Sequence, residues 1–149
     1  MKPLSNLDID RLMENIDNYR GFFSKDMLLK KINSNESIII YLQSNFDGGG
    51  IHWIFVYNDS NSDSVEYFDS FGLVPPNEIV TDMNTSSKNI IYNDSQIQHI
   101  NSIMCGYYCI YYLLQRYESN RKPGDILLDF HDFPSLFNER FIEYFTNFI

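Results

Sequence analysis

The segment QHINSIMCGYYC, residues 98–109, holds both of the chain's cysteines, Cys105 and Cys109, four residues apart. It runs directly into IYYLLQRY, so residues 105–117 form one apolar and aromatic stretch of helical length. A helix that is apolar on every side is a central, buried one. Its first residue would be Cys105, and at a helix start the unpaired N–H groups and the dipole favour a thiolate. The dipole contributes only about 0.3–1 kcal/mol at an exposed terminus, so a nucleophilic cysteine there also needs an imidazole partner. The plain alternative is that Cys105 is a small buried hydrophobe.

Upstream of this helix the pattern changes period. SIIIYLQ (37–43), IHWIFVY (51–57), VEYFDSF (65–71) and KNIIYN (88–93) are rich in β-branched and aromatic residues and predict four strands. FDGGG (46–50) predicts a turn, NDSNSDS a hairpin connection, and residues 72–87, with Pro75-Pro76 and a Ser/Asn/Thr cluster, a loop. Apolar Ile9, Leu12, Met13 and Ile16 predict a helix over 6–17 capped by Ser5 or Asn6, and SKDMLLKKI (24–32) a second short one. RKPGD (121–125) breaks the chain. Residues 134–149 carry Phe137, Phe141, Tyr144, Phe145 and Phe148 at helical spacing, with Pro134 suited to a first turn, and core packing is the expected use of that stripe. Helices, then strands, then helices predict an α+β fold: a mixed, largely antiparallel sheet packed on the central helix that starts at Cys105.

Bulk properties narrow the function. A chain of 149 residues, 44% hydrophobic, predicts a single domain spanning 1–149 with a normal core. No apolar run reaches membrane-spanning length, and MKPLSNLDID has no secretory apolar core. Two cysteines are too few for a disulfide framework or a four-cysteine zinc site and suit a reducing compartment. A net charge of -9 argues against broad nucleic-acid binding, which rests on Lys and Arg neutralising phosphates. No metal cluster or phosphate loop is evident, and no cofactor is expected.

Cysteine catalysis needs a base, a group that orients the base, and donors for an oxyanion. Of three histidines, His52 lies in a predicted strand beside the only tryptophan, His99 in the loop after Gln98, and His131 in FHDF. The hairpin makes the strands of His52 and Asp69 neighbours, so Asp69 could accept a bond from His52 Nδ1 and leave Nε2 for the sulfur. Gln98 could donate a side-chain N–H to the oxyanion, with the Cys105 amide as second donor. Gly106 would keep the sulfur approachable. Each element has an ordinary reading beside it: a structural histidine, a turn aspartate, a loop glutamine. Trp53 is expected against the imidazole or in the core, Asn101-Ser102 as loop-shaping residues, His99 as exposed, and the tyrosines at 107, 108, 111 and 112 as helix packing. His131 is the rival base if the order is Cys before His.

Three ordered segments carry a resemblance. GGGIHW, YFDSFG and QHINSIMCGYYC resemble the Gly-Gly-x-His-Trp, aromatic-acid-x-Phe-Gly and Gln-x-x-Asn-Ser-x-x-Cys-Gly-x-x-Cys segments of adenovirus-type maturation proteases, adenain-like cysteine proteases related to the SUMO-protease clan. The gaps, 17 residues from His52 to Asp69 and 7 from Gln98 to Cys105, agree with that branch. The likeness covers about residues 5–117, with PLSNLDIDRLMENI and YRGFFSKDML fitting lead-in helices. It implies a papain-like core in adenain-type order, with His52 as base, Asp69 as its orienter, Cys105 as nucleophile and Gln98 as oxyanion donor. It further implies a viral endopeptidase that cuts capsid or core precursor proteins, from a virophage, Polinton-type element or other small double-stranded DNA virus. Such an enzyme would act as a monomer in the host cytoplasm or viral factory and the virion interior. The acid is Asp where adenovirus enzymes commonly have Glu. Cys109 is expected in the core and not as the anchor of an activating peptide, and the acidic charge argues against DNA activation. The alternatives are a protease removing ubiquitin-like modifiers and a catalytically silent binding protein of this fold.

Overall fold

The computed structural model describes residues 1–24, 32–43 and 51–149. Most of the expected 24–32 helix and the whole 46–50 turn lie outside them. The elements are α1 (Asn6–Met13), β1 (Tyr19–Ser24), β2 (Glu36–Gln43), β3 (Ile51–Asn58), β4 (Ser64–Phe68), α2 (Asn77–Asn84), β5 (Asn89–Tyr92), α3 (Cys105–Tyr117), α4 (Pro123–Leu127) and α5 (Leu136–Phe145), followed by a 3₁₀ turn, Thr146–Phe148.

The five strands lie in sequence order in one mixed sheet. The two central pairings, β2–β3 and β3–β4, are antiparallel, while β1–β2 and β4–β5 are parallel. Residues 19–24 thus form an edge strand, where a lead-in helix was expected. A parallel pair cannot be closed by a tight turn, so the 69–88 connection must cross over. It does so through α2, where only a loop was expected. The helix is carried by Ile79 and Met83, four residues apart and both fully buried.

Both faces of the sheet are covered, which is why β2 and β3 are nearly continuous apolar runs and not alternating ones. Ile38, Ile40, Ile54, Val56, Val65 and Tyr67 pack with Ile79 and Met83 on one face. Ile39, Trp53, Phe55 and Phe68 pack against α3 on the other. Ten of the thirteen residues of α3 are buried, as expected of a helix apolar on every side. Its tyrosines are spacers: Tyr112 stacks on Phe68 with centroids 4.4 Å apart, and Tyr111 sits edge-on to Phe141 and Phe145 at 5.3 and 5.0 Å. Burying an aromatic of this size is worth about 1.5–3 kcal/mol.

Two polar devices fix the register of α3. At its C-terminal end buried Arg116 bonds both carboxylate oxygens of buried Glu66 on β4 and reaches Asp59 at 2.8 Å, while the Tyr112 hydroxyl donates to Glu66 at 2.8 Å. Farther N-terminally, the Cys109 thiol donates to the Trp53 carbonyl at 3.3 Å, and burial pushes that thiol's pKa well up. Helix α1 begins in a capping box between Ser5 and Asp8. The C-terminal stripe divides. Phe141 and Phe145 pack partly buried against the core around α3, but Phe137, Tyr144 and Phe148 are exposed, and the buried positions of α5 are Asn138 and Ile142. Ser135 is the N-cap of α5, so Pro134 precedes the helix and does not open its first turn.

Candidate active site

Strand register brings His52 and Asp69 together. Phe55 pairs with Phe68 across β3 and β4; carried one residue further, Asp69 falls opposite Ile54 and diagonal to His52 on the same face. Diagonal neighbours lie within reach of long side chains. His52 Nε2 lies 2.8 Å from Asp69 Oδ1, with His52 6% exposed and Asp69 fully buried.

The Asp69 carboxylate is fixed before the histidine is considered. Its Oδ1 also accepts from the Phe71 N–H at 2.8 Å, an Asx turn that bends the chain off β4. Its backbone forms a reciprocal pair with Asn93: Asp69 N–H donates to Asn93 Oδ1 at 3.0 Å, and Asn93 Nδ2 donates to the Asp69 carbonyl. The Gly72 N–H closes the turn onto the same carbonyl at 2.8 Å. Gly72 has φ +68°, and a Cβ there would meet the backbone of Ser95 and Gln96 at 2.6–2.8 Å. Only glycine lets the Asp69 turn press against the chain that leads to Gln98. Phe71 then lies 4.8 Å from the His52 ring and walls one side of it.

Nε2 is committed to Asp69, so the ring orientation is the reverse of that expected from the sequence, and the buried Nδ1 is the nitrogen left over. Burial disfavours the imidazolium, but hydrogen bonds and charge from Asp69 and Cys105 outweigh it and push the His52 pKa up to about 9. The shift favours the doubly protonated imidazolium over the neutral ring at neutral pH.

Cys105 is the first residue of α3 and 5% exposed, and no side chain caps this helix. Gly106 has a packing role. A Cβ on it would meet Leu4 at 3.2 Å and Trp53 at 3.3 Å, so the glycine lets the helix start dock on these two residues. Trp53 belongs to that packing: its Nε1 donates to the Leu4 carbonyl at 3.3 Å and its ring stands edge-on to Tyr41 and Phe22.

Gln98 is fully buried in the loop before α3. Its Oε1 accepts from the Ser70 hydroxyl at 2.5 Å and its Nε2 donates to the Ser102 carbonyl at 3.0 Å. A carbonyl can only accept, so this amide has one orientation, and the second Nε2 hydrogen remains for another acceptor. Ser70 also takes the Ile97 and Gln98 amides on its own carbonyl. The loop is thereby tied to the residue after Asp69.

His99 is half-buried, not exposed: its amide donates to Glu139 at 2.9 Å and its Nδ1 accepts from the Asn101 amide. His131 is exposed and lies against Phe137 at 4.4 Å, whereas the charge on His52 is coupled to Cys105. Ser102 shapes the loop, accepting from the Met104 amide and donating to Glu139. Asn93, Ser70 and Glu139 were not legible as site residues. Their partners are backbone or side-chain groups far along the chain, and no local motif marks them. Among the described residues no group of three or more metal-ligating side chains occurs, and no helix is long and apolar enough to cross a membrane.

No family model and no curated protein sequence matches the chain. Solved structures do. A crystal structure of the ASFV pS273R protease superposes with a TM-score of 0.59 at 17% identity, covering 84% of this chain and 61% of that one. A selenomethionine crystal of the same protease gives 0.56 at 20% identity with the same coverage. The SUMO protease Ulp1 with its catalytic cysteine oxidised to a sulfinic acid gives 0.49 at 14%, covering 85% of this chain and 73% of that one. The chain spans about 61% of the length of the ASFV protease. At these identities the likeness is one of fold: an α+β architecture shared with a viral protease.

Proposed function

We propose that the chain is a cysteine endopeptidase of the adenain-like type. One observation carries the reading: a buried imidazole held by Asp69 on one side and sharing charge with Cys105, at the uncapped start of the central helix, on the other. The fold it shares with a viral protease supports it.

In this reading the Cys105 thiolate attacks the scissile carbonyl carbon, and the carbonyl electron pair moves onto oxygen. Gln98 Nε2 and the Cys105 amide stabilise that oxyanion. The oxyanion collapses, the C–N bond breaks, and His52 gives its Nδ1 proton to the departing amine, leaving a thioester. His52, now neutral, takes a proton from water as the water adds to the thioester. Loss of the sulfur from the second tetrahedral intermediate restores the thiolate–imidazolium pair. Asp69 keeps Nε2 engaged throughout, so Nδ1 stays toward the sulfur. Losing one oxyanion donor costs on the order of 10²–10³ in rate, so Gln98→Ala should lower kcat by that factor and leave measurable turnover.

The substrate in this reading is a viral capsid or core precursor protein, cut in the viral factory or the maturing virion. The parent replicon is a small double-stranded DNA virus, virophage or Polinton-type element. A peptide electrophile tests the chemistry: it should label the wild type, fail with Cys105→Ser and react slowly with His52→Ala. Equal labelling of Cys105→Ser would overturn the assignment. Co-expression with candidate capsid proteins, wild type against Cys105→Ser, followed by mass measurement, tests the substrate. Turnover of a ubiquitin-like C-terminal reporter without capsid cleavage would redirect the substrate class.

A further inference from the structure

The loop that carries Gln98 has two anchors. Ser70 is one. The other is α5, which lies outside the segments that suggested the site. Three groups converge on the Glu139 carboxylate: the His99 amide at 2.9 Å and the Tyr108 hydroxyl at 3.0 Å on Oε1, and the Ser102 hydroxyl at 2.6 Å on Oε2. His99 is the residue after Gln98, Ser102 is the residue whose carbonyl holds the Gln98 amide, and Tyr108 lies one turn into α3. Asn138 adds a bond from its Nδ2 to the Ile97 carbonyl at 2.9 Å and closes a second pair with the His131 backbone. Bonds from neutral donors to a carboxylate are roughly twice as strong as neutral pairs. The first turn of α5, where the dipole is positive, favours a negative charge. Burial and this carboxylate keep the Tyr108 hydroxyl protonated, hence a donor.

We infer that Glu139 is a positioning residue: it registers the Gln98 loop against the start of α3, so that the Gln98 amide and the Cys105 amide face one oxyanion. The inference rests on the peptidase reading. It gives α5 a part in positioning the Gln98 loop.

The test is a double-mutant cycle in the full chain. Glu139→Ala should lower kcat about 10- to 100-fold, less than loss of the donor itself, with KM nearly unchanged. In a Gln98→Ala background the same change should cost under about twofold, because residues acting as one unit are not additive. Glu139→Gln, which keeps an acceptor for His99, should restore part of the rate. Alkylation of Cys105 by iodoacetamide, which forms no oxyanion, should stay within about twofold of wild type; the factor follows from the absence of any oxyanion term. Tyr108→Phe removes only one of the three bonds and serves if Glu139→Ala folds poorly. Equal losses in both backgrounds, or alkylation falling in step with turnover, would overturn the inference. A readout independent of activity separates its failure from that of the peptidase reading. Hydrogen exchange at the His99 amide should quicken in Glu139→Ala while the buried amides of α3 keep their protection. If no peptide is ever turned over, the peptidase reading falls. Unchanged His99 exchange sinks the clamp regardless.

Discussion

Replacing Asp69 with asparagine removes the charge beside His52 and little else. The volume is kept, and an oxygen remains to accept from the Phe71 amide. In the wild type, burial opposes the imidazolium, yet hydrogen bonds and charge from Asp69 and Cys105 take its pKa from 6.5 to about 9. One pKa unit is about 1.4 kcal/mol, so the difference corresponds to about 3 kcal/mol favouring the folded, protonated state. Because the folded pKa lies above the unfolded one, that stabilisation is complete below about pH 6.5 and is lost as pH rises through about 9. In Asp69→Asn the carboxylate's contribution disappears and the burial penalty stays. The His52 pKa should drop well below its wild-type value, and the fall in stability between pH 6.5 and 9 should flatten. Ring-proton NMR titration, with His52 assigned by His52→Gln, reads the first quantity; urea denaturation at the two pH values reads the second. Repeating both in a Cys105→Ala background separates the sulfur's share from the carboxylate's. A His52 pKa that stays near 9 in Asp69→Asn would refute the claim that this carboxylate holds the proton.

Gly72→Ala should destabilise the fold by at least about 2 kcal/mol in chemical denaturation, since a left-handed non-glycine residue costs about 1–3 kcal/mol and its Cβ would strike backbone at 95–96. It should also slow turnover in the refolded fraction, because the Asp69 turn and the Gln98 loop meet there. Arg116→Met should cost about 3–5 kcal/mol by leaving the buried Glu66 charge without its cation. Adding Glu66→Leu should recover part of that loss, and the same denaturation series measures both.

The parts of the fold that were legible in the sequence are those where one physical signal dominates. Strands β2 and β3 are apolar on both faces, and α3 is apolar around its whole circumference, so each could be placed without its neighbours. Strand β1 was not, because YRGFFS is an edge strand with no alternation of burial. Helix α2 was hidden because two inward residues, Ile79 and Met83, sit among Ser, Asn and Thr, and α4 is only five residues long. The meeting of His52 and Asp69 could be anticipated, since a hairpin links their strands. Which ring nitrogen faces the acid could not, because it depends on how the 69–72 turn folds back. Glu139 left no trace either: its partners are a loop amide 40 residues earlier and two hydroxyls that gain meaning only when α5 is docked.

The start of α3 shows where stability and chemistry part. An N-cap Ser, Thr, Asp or Asn is worth about 1 kcal/mol, and α1 and α5 both use serine for it. The longest helix in the described chain has Met104 instead, with no side-chain cap. Its stability does not depend on the cap, because burial on every side and the Glu66–Arg116 pair at its far end hold it in place. Ser102, two residues before the cap position, spends its hydroxyl on the Met104 amide and Glu139 and so stiffens the approach to the helix without covering its end. In the proposed mechanism the oxyanion takes the Cys105 amide, the first of the helix, whereas a side-chain cap would accept from the second or third. The Tyr107 and Tyr108 amides donate to the Met104 carbonyl at 2.9 and 3.1 Å, so two of the end amides are satisfied without a side-chain cap, and a helix held from elsewhere does without one.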